Sequence, residues 1–600
     1  MSPDRKRVGE IRSSQVLTTY GPGSLLDFPY DAAIMGGVNH WPRGDARREV
    51  HEPRLRNKLA TMLGIHNLRL IAPPAGEAAP WERGPRVKAF RFPNWFLAEF
   101  GQVEGDQGDV RTRRLVPREH LETGLKYEGR RAVPVRFVSA CPRGHIADLD
   151  WRYVLPCDKR ACSGKPIYLD ERGAGGDLGD LVIRCQCGAT RSMSEVADRG
   201  LNLLGRCSGG RPWLRGWHEE CDQQARLLIR TASNAYFGQT LSLLSLPETK
   251  DKLAAAVERH WSVVGPMIVS LEAVQVTRNL PDWNEAIESY TNEQVLDAVE
   301  AHRKGGASAV PVKEAELESI LAAPVGYMQD LPADKEFLAR KLPESLWRES
   351  GEWPLVECVV QLHRLREVTA LTGFTRFEAL TPDIHGEYEG DVQVAAIDPE
   401  PRDFPAVENR GEGLFVQLSS KAVEQWSKSA SVKARAQALE QGHSRWKADR
   451  KAGVEFTGVE YILLHTLSHL LLQSIAMTCG YPATSIRERI YVEKGRYGLL
   501  LYTASPDAEG TLGGLVSEAR HIGKHLSRAL REGMLCSNDP ICAQHDAGKS
   551  LEGRWLHGAA CHGCCLIAET SCEMRNEFLD RALVVPVLGQ TNAAFFSRML

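Results

Sequence analysis

The stretch that decides how this chain is read is Ala560 to Ala582, ACHGCCLIAETSCEMRNEFLDRA. Cys561 and Cys564 are two residues apart with Gly563 before the second thiolate, the spacing of a zinc knuckle. Cys572 stands eight residues further on, at the head of CEMRNEFLDRALV, which reads as a helix start. A thiolate near a helix N-terminus is favoured by the dipole, so Cys572 is expected to be a ligand with them. Cys536 and Cys542 lie upstream, and the spacing leaves open which of the two completes the site. Cys565, adjacent to Cys564, points elsewhere and is spare.

Working outward, the chain has 15 cysteines, and 13 of them fall into two arrays, Cys141 to Cys221 and Cys536 to Cys572. The N-terminal MSPDRKRVGEIRSS has no apolar leader, which points to a reducing cytoplasmic setting and to metal ligands rather than disulfides. The first array contains Cys141-x3-His145, Cys157-x4-Cys162, Cys185-x-Cys187 and Cys207-x13-Cys221. Gly144 sits inside the first knuckle, and Cys185 and Cys187 follow the strand-like DLVIR as in a zinc ribbon. These eight donors fill two tetrahedral sites, or one site with free thiols left over; order along the chain does not give the pairing. One to three structural Zn2+ ions are expected in all, supplying folding energy that a ribbon with so few large apolar residues lacks.

The 600 residues carry 74 Lys+Arg against 77 Asp+Glu, with 43% hydrophobic and 25% charged residues. That balance excludes a wholly basic nucleic-acid coat and an acidic disordered tail. An α+β, multidomain chain is expected, with no internal repeat. Residues 1–135 read as a β-rich domain in which Gln15 to Pro29 is strand, Gly21-Pro22-Gly23 turn, strand. Residues 136–235 form the zinc-ribbon-like insertion. Residues 236–377 form a central, mostly helical region (LAAAVERHW, NEQVLDAVEAHRK, KEAELESILAA) with an exposed loop at Lys304 to Ser308. Residues 378–600 form a C-terminal α/β zinc-binding domain. The apolar run Tyr461 to Cys479 is broken by His465, Thr466, Ser468, His469, Gln473 and Ser474, so it reads as a buried helix and not as a membrane span.

No G-x-x-x-x-G-K-[ST], G-x-S-x-G or H-x-E…P-C-x-x-C motif occurs, and no paired carboxylates stand out. His465 and His469 share a helix face, but Thr466 stands where an HExxH protease carries its general base. A metal-dependent hydrolase or nuclease built on these histidines is the alternative to a non-catalytic role. For DNA, the densest positive segment is Lys428, Lys433, Arg435, Arg445, Lys447, Arg450 and Lys451 against Glu440 and Asp449, with Trp446 placed to stack on an unpaired base. The competing reading is an ordinary solvated face. Arg111, Arg113 and Arg114 form a weaker patch, and Arg364 and Arg366 near Glu367 suggest an internal ion-pair network.

Several stretches together resemble a known family. They are RSSQVLTTYGPGSLLDFP (Arg12 to Pro29), GGVNHW (Gly36 to Trp41), CPRGHIADLDW (Cys141 to Trp151), CSGGRPWL (Cys207 to Leu214), HRLREVTALTGFTR (His363 to Arg376), YILLHTLSHLLL, LLLYTASPDAEGTLGGL (Leu499 to Leu515) and the stretch quoted first. The resemblance is to the DrmB family of the bacterial DISARM anti-phage defence system, and it runs from residue 12 to about 586. The C-terminal part also resembles the zinc-binding (MZB-like) domain of certain superfamily-2 helicases, through Asp507, Gly510, Gly513, Gly514, Cys561, Cys564, Cys572, Asn576, Leu579, Asp580 and Arg581. It departs from that pattern at Ala560 to Gly563, at Arg581 in place of Lys, and in a wider gap before Cys561. The resemblance implies a non-catalytic subunit that partners a helicase-like ATPase (DrmA-like) and engages DNA with ends or single-stranded overhangs. It implies no membrane partner. A nucleic-acid end binder acting alone is the remaining alternative.

Overall fold

The computed structural model describes residues 11–597 except 43–46, 66, 75–85, 106–107, 159, 173–176, 247–251, 304–310, 327–335, 349–352, 381–382, 385–393, 451–453, 504–513 and 550–552. Its spine is one strand, Val356–Thr375, VECVVQLHRLREVTALTGFT. The Val and Thr residues that stiffen this run at χ1 suit a pleated surface better than a helix. It pairs antiparallel with Phe237–Leu244 on one side and Asp403–Leu418 on the other. Beyond these come Arg496–Thr503 and then Ile486–Glu493, again antiparallel. Leu338–Lys341 joins the long strand, and Arg69–Ile71 runs parallel to the start of 403–418.

This sheet crosses the expected domain boundaries. Strands on both sides of residue 377 are direct partners, and residues 69–71 belong to the same architecture as residues 403–405. After Leu321 the described elements of the central region are strands except for one helical turn, Glu344–Trp347, and it is not helical to 377. Within HRLRE, Arg366 and Glu367 are buried in ion pairs, as the network suggested by Arg364, Arg366 and Glu367 requires. Arg366 meets Glu52, Ser245 and Glu408, while Glu367 meets Arg487 and Tyr502. Four helices, Lys252–Met267, Leu271–Thr277, Pro281–Ile287 and Asn292–Arg303, close around their own core of Val257, Val264, Trp283 and Val299. The loop expected at Lys304 to Ser308 lies outside the described residues.

A second antiparallel sheet likewise ignores the boundary at 135. Its order is Thr190–Ser192, Leu181–Cys185, Ile167–Arg172, Gly108–Pro117, Trp95–Gly105, Arg130–Pro134, Lys126–Tyr127. The expected strand at residue 15 is a short helix, Gln15–Thr18, and the strand after the glycine turn is Leu25–Asp27.

The Gly-Pro-Gly turn has a structural reason. Gly23 sits at φ +84°, and a Cβ there would lie 2.4 Å from the Phe374 ring. Gly144, inside the Cys141–His145 knuckle, has φ +83°, and its Cβ would meet the Ala395 side chain at 2.4 Å. Between these glycines lies Arg376, fully buried, donating to the carbonyls of Gly144 (2.8 Å), Ala235 (2.5 Å) and Gly23 (2.7 Å). Its planar fork of donors suits three converging acceptors. Burial pulls the guanidinium down to about 10, so it stays cationic at neutral pH.

Helix Val459–Cys479 packs on strands 486–493 and 496–503, beneath Ile522–Gly533 and Arg581–Val584. It is the one described helix long and apolar enough to cross a membrane, yet 72% of its apolar window is buried inside the protein. Leu463, Leu467, Leu470 and Leu471 belong to the main core, which identifies a core helix.

Replacing Arg376 by Ala leaves three buried carbonyls without a donor. At roughly 1–3 kcal/mol per unmet group, stability should fall by about 3 kcal/mol or more. Arg376→Lys keeps the charge but not the fork and should recover only part of the loss. Chemical denaturation is the check, and an Arg376→Ala midpoint equal to that of the native chain contradicts the clamp.

Candidate metal centres

The first array resolves into two clusters. Cys141, His145, Cys207 and Cys221 bring one donor atom each within 4.8 Å of one another, and so do Cys157, Cys162, Cys185 and Cys187. In the first, the hairpin from Phe137–Ala140 to Ile146–Asp148 turns through the knuckle. The Cys141 N–H donates to the His145 carbonyl (3.1 Å), and the Gly144 N–H to the Cys141 carbonyl (3.0 Å). Cys141 Sγ lies 3.5 Å from His145 Nδ1 and 3.9 Å from Cys221 Sγ. The outward Nε2 of His145 faces Glu219 at 3.7 Å, the kind of carboxylate support that orients a ligating imidazole. The Gly209 N–H points at Cys207 Sγ (3.4 Å).

In the second cluster, Cys185 ends strand Leu181–Cys185, and a turn with Gly188 at φ +97° brings Cys187 back beside it. Arg152 holds the facing loop by donating to the carbonyls of Cys162 (2.6 Å) and Lys165 (2.7 Å). The Ala189 N–H and the neighbouring Cys185 draw the Cys187 thiol down to about 7, which favours the thiolate form that binds a cation.

The C-terminal array needs a correction. Both Cys536 and Cys542 join Cys561 and Cys564, and Cys572 does not. The sulfurs are 3.4 Å (536–561), 3.7 Å (542–564) and 3.8 Å (561–564) apart. A zinc–sulfur bond of about 2.3 Å in a tetrahedron requires edges of about 3.8 Å, so the donors stand close to ligating distance already. The Cys561 N–H points at Cys564 Sγ (3.3 Å), and the Asn538 N–H and side-chain amide point at Cys536 (3.4 Å) and Cys561 (3.3 Å). Burial opposes ionisation of Cys561, but the Asn538 amide and Cys536 outweigh it and bring the thiol down to about 7. Arg581 is fully buried nearby and pairs with Asp539; burial works against its charge, and the Cys542 and Cys564 sulfurs together with Asp539 outweigh it. Cys565 is buried and outside the cluster, as expected of a spare residue.

Cys572 was drawn to the knuckle by its place in the sequence, but the structure turns it the other way. No helix starts there. The segment is a loop with Arg575, Asn576 and Phe578 at positive φ, and the next helix is Arg581–Val584. Cys572 faces His465 and His469 of the core helix together with Glu488 of strand 486–493. Glu488 escaped sequence reading because one acid in the alternating IRERIYVE looks like an outward-facing strand residue. The available signal was that Glu488 shares a strand face with Ile486 and Ile490, between arginines that take the opposite face.

The basic segment also needs correcting. It forms helix Ala430–Arg450, lying against the C-terminal cysteine domain. Arg435 is tied to the buried Asp580 through two hydrogen bonds (2.6 and 3.1 Å), and Trp446 is buried in the main core. Neither is available to nucleic acid. Lys447 pairs with Glu455 at 2.5 Å, and Lys428 lies 4.0 Å from Glu424. Lys433 and Arg445 are exposed, as are Glu440 and Asp449. Lys451 and the Arg450 side chain lie outside the described residues. Arg113 and Arg114 of the weaker patch pair with Glu171 and Glu128.

Cys561→Ser should remove one zinc equivalent and lower the melting temperature of the C-terminal half, because structural zinc contributes about 10 kcal/mol or more of folding energy. Cys565→Ala, one residue beyond the knuckle, should keep its zinc. Elemental analysis of both purified variants is the check, and equal zinc contents contradict the ligand assignment.

Residues 12–237 match a family described as a domain of unknown function, DUF8724. Residues 467–565, which include Cys536, Cys542, Cys561 and Cys564, match the MrfA Zn-binding domain, MZB. The chain is 28% identical over 550 residues to the DISARM protein DrmB of Bacillus paralicheniformis, spanning 86% of this chain and 91% of that protein. Three cysteine-rich clusters with tetrahedral spacing, one of them inside the matched MZB domain, fit structural Zn2+. The chain is a relative of the DISARM protein DrmB and carries an MrfA-type zinc-binding domain in its C-terminal part.

Proposed function

We propose that this chain is a non-catalytic, zinc-stabilised subunit of a DISARM-type anti-phage defence complex in the cytoplasm, binding a helicase-like ATPase and helping it engage DNA. The observation that carries the reading is similarity to a DISARM protein along 86% of the chain. The character of the cysteine clusters supports the non-catalytic part. Each is a set of four protein donors, held by backbone N–H groups and knuckle turns, and a catalytic zinc keeps one position open.

The hydrolase alternative built on His465 and His469 finds no support in the geometry. Both imidazoles, Glu488 and Cys572 are buried, with no approach for a substrate. Thr466, where a protease would carry its base, accepts the Asp580 N–H at 2.9 Å and is part of the packing.

DNA contact by helix 430–450 is reduced to its exposed cations, Lys433 and Arg445 with Lys428 beside them. Each phosphate neutralised adds close to one unit to the salt slope of binding.

The direct test is co-purification with the helicase-like partner, followed by DNA-binding titrations of the pair on duplexes with single-stranded overhangs. Association and a gain in affinity over the helicase alone are expected. A chain that neither associates nor changes the affinity contradicts the proposal, and tight salt-dependent binding by this chain alone favours the stand-alone end binder. In the assembled pair, Lys433→Glu with Arg445→Glu should weaken binding and lower the salt slope by about 1–2. An unchanged slope with assembly intact removes this helix from the DNA path.

A further inference from the structure

The cluster of His465, His469, Glu488 and Cys572 lies outside the cysteine arrays, and its donor set is different. All four residues are buried, and one donor atom from each falls within 4.8 Å of the others. His465 Nε2 is 2.9 Å from Glu488 Oε1 and 3.0 Å from Cys572 Sγ, and His469 Nε2 is 3.2 Å from the same Glu488 oxygen. These distances are a few tenths of an ångström below the roughly 3.3–3.6 Å edges of a mixed nitrogen, oxygen and sulfur tetrahedron around zinc.

The hydrogen bonds behind these donors fix which atoms face inward. His465 Nδ1 meets the Phe578 carbonyl (3.2 Å) and His469 Nδ1 meets the Cys565 carbonyl (2.8 Å). A carbonyl only accepts, so both Nδ1 atoms carry the proton and both Nε2 lone pairs point at the shared centre. Cys572 Sγ receives two backbone N–H groups, from Met574 (3.4 Å) and Asn576 (3.1 Å), the support a thiolate needs. The second oxygen of Glu488 rests against the Ser468 hydroxyl. The inward set is therefore two lone pairs, a carboxylate oxygen and a sulfur, all on buried residues.

We propose that His465, His469, Glu488 and Cys572 bind a fourth Zn2+ ion, fully enclosed and structural. Two neutral imidazoles, one carboxylate and one thiolate balance a divalent cation, so the filled site carries no net charge. That suits the most buried of the clusters, since an uncompensated charge there is costly. The four cysteines of the neighbouring MZB cluster leave a double negative charge, and that cluster lies nearer solvent with Arg581 alongside. The two sites share a stretch of backbone: Cys564 ligates in one, and the carbonyl of Cys565 orients His469 in the other. The ion would fasten helix 459–479, strand 486–493 and the loop after residue 571 to one point. His465 and Cys572 fall outside the 467–565 segment that matches the MZB domain, so that match does not assign this site.

The test uses the native full-length chain, washed with a mild chelator. Elemental analysis should give four zinc ions per chain. Zinc-edge X-ray absorption should report twelve sulfur and four nitrogen or oxygen donors shared among them, a mean of three and one per ion. Three or fewer ions, with eleven sulfurs to one nitrogen, overturn the proposal. Glu488→Gln should lower the content from four to three while the sulfur share rises, and a variant that keeps four ions overturns it equally. Should that variant fail to fold, the native measurements decide alone.

Discussion

Two fully buried imidazoles in the middle of the core helix are the constraint around which the C-terminal half is arranged. His465 and His469 are fully buried on helix 459–479, and each of their four nitrogens meets a polar atom of the protein. The outer nitrogens find carbonyls at Phe578 and Cys565, which fixes the course of two loops. The inner nitrogens require a strand that brings Glu488 and a turn that brings Cys572. Around them a second buried network repeats the pattern: Glu573, next to Cys572, receives Lys313 (2.8 Å) and the Tyr461 hydroxyl (2.7 Å). Helix Val312–Leu321, which carries Lys313, the core helix and the C-terminal loop are thus held by polar contacts that hydrophobic burial alone would not specify.

The N-terminal half solves the same problem differently. There the cysteine clusters sit beside an apolar core of their own, built on Trp151, Ile167, Leu169 and Ile183, and the cluster at Cys141 and His145 is joined to the main sheet by Arg376. One guanidinium holds the knuckle at Gly144, the turn at Gly23 and the loop at Ala235, all at the end of the spine strand. Strand 69–71 also pairs in parallel with the start of strand 403–418, so the N-terminal and C-terminal halves are joined by strand pairing as well.

What could be read in the sequence follows from how local each interaction is. Cys561-x2-Cys564 and Cys141-x3-His145 are local turns, and their spacing shows directly. Pairing between distant knuckles does not show, and Cys572 was assigned to the nearest knuckle although the fold carries it to a helix more than a hundred residues upstream. Charge counting failed for a related reason. Arg435 and Trp446 look like a basic, aromatic surface until the helix is docked, when one meets Asp580 and the other enters the core. The GPG motif reads as a hairpin turn, while Gly23 is required by the Phe374 ring and Gly21 by Tyr236 and the Val16 carbonyl. Domain limits were least legible, because antiparallel pairing across long separations leaves no mark in composition.

The central claim is that closed metal centres, four in number, hold this fold together. Anomalous X-ray diffraction from crystals of the native chain, recorded on either side of the zinc absorption edge, addresses it most directly. The account predicts four zinc-specific peaks, one within each cluster, including one between His465, His469, Glu488 and Cys572. Peaks in the cysteine clusters with none between the histidines would contradict the buried mixed site, and a map without zinc peaks would contradict the account as a whole.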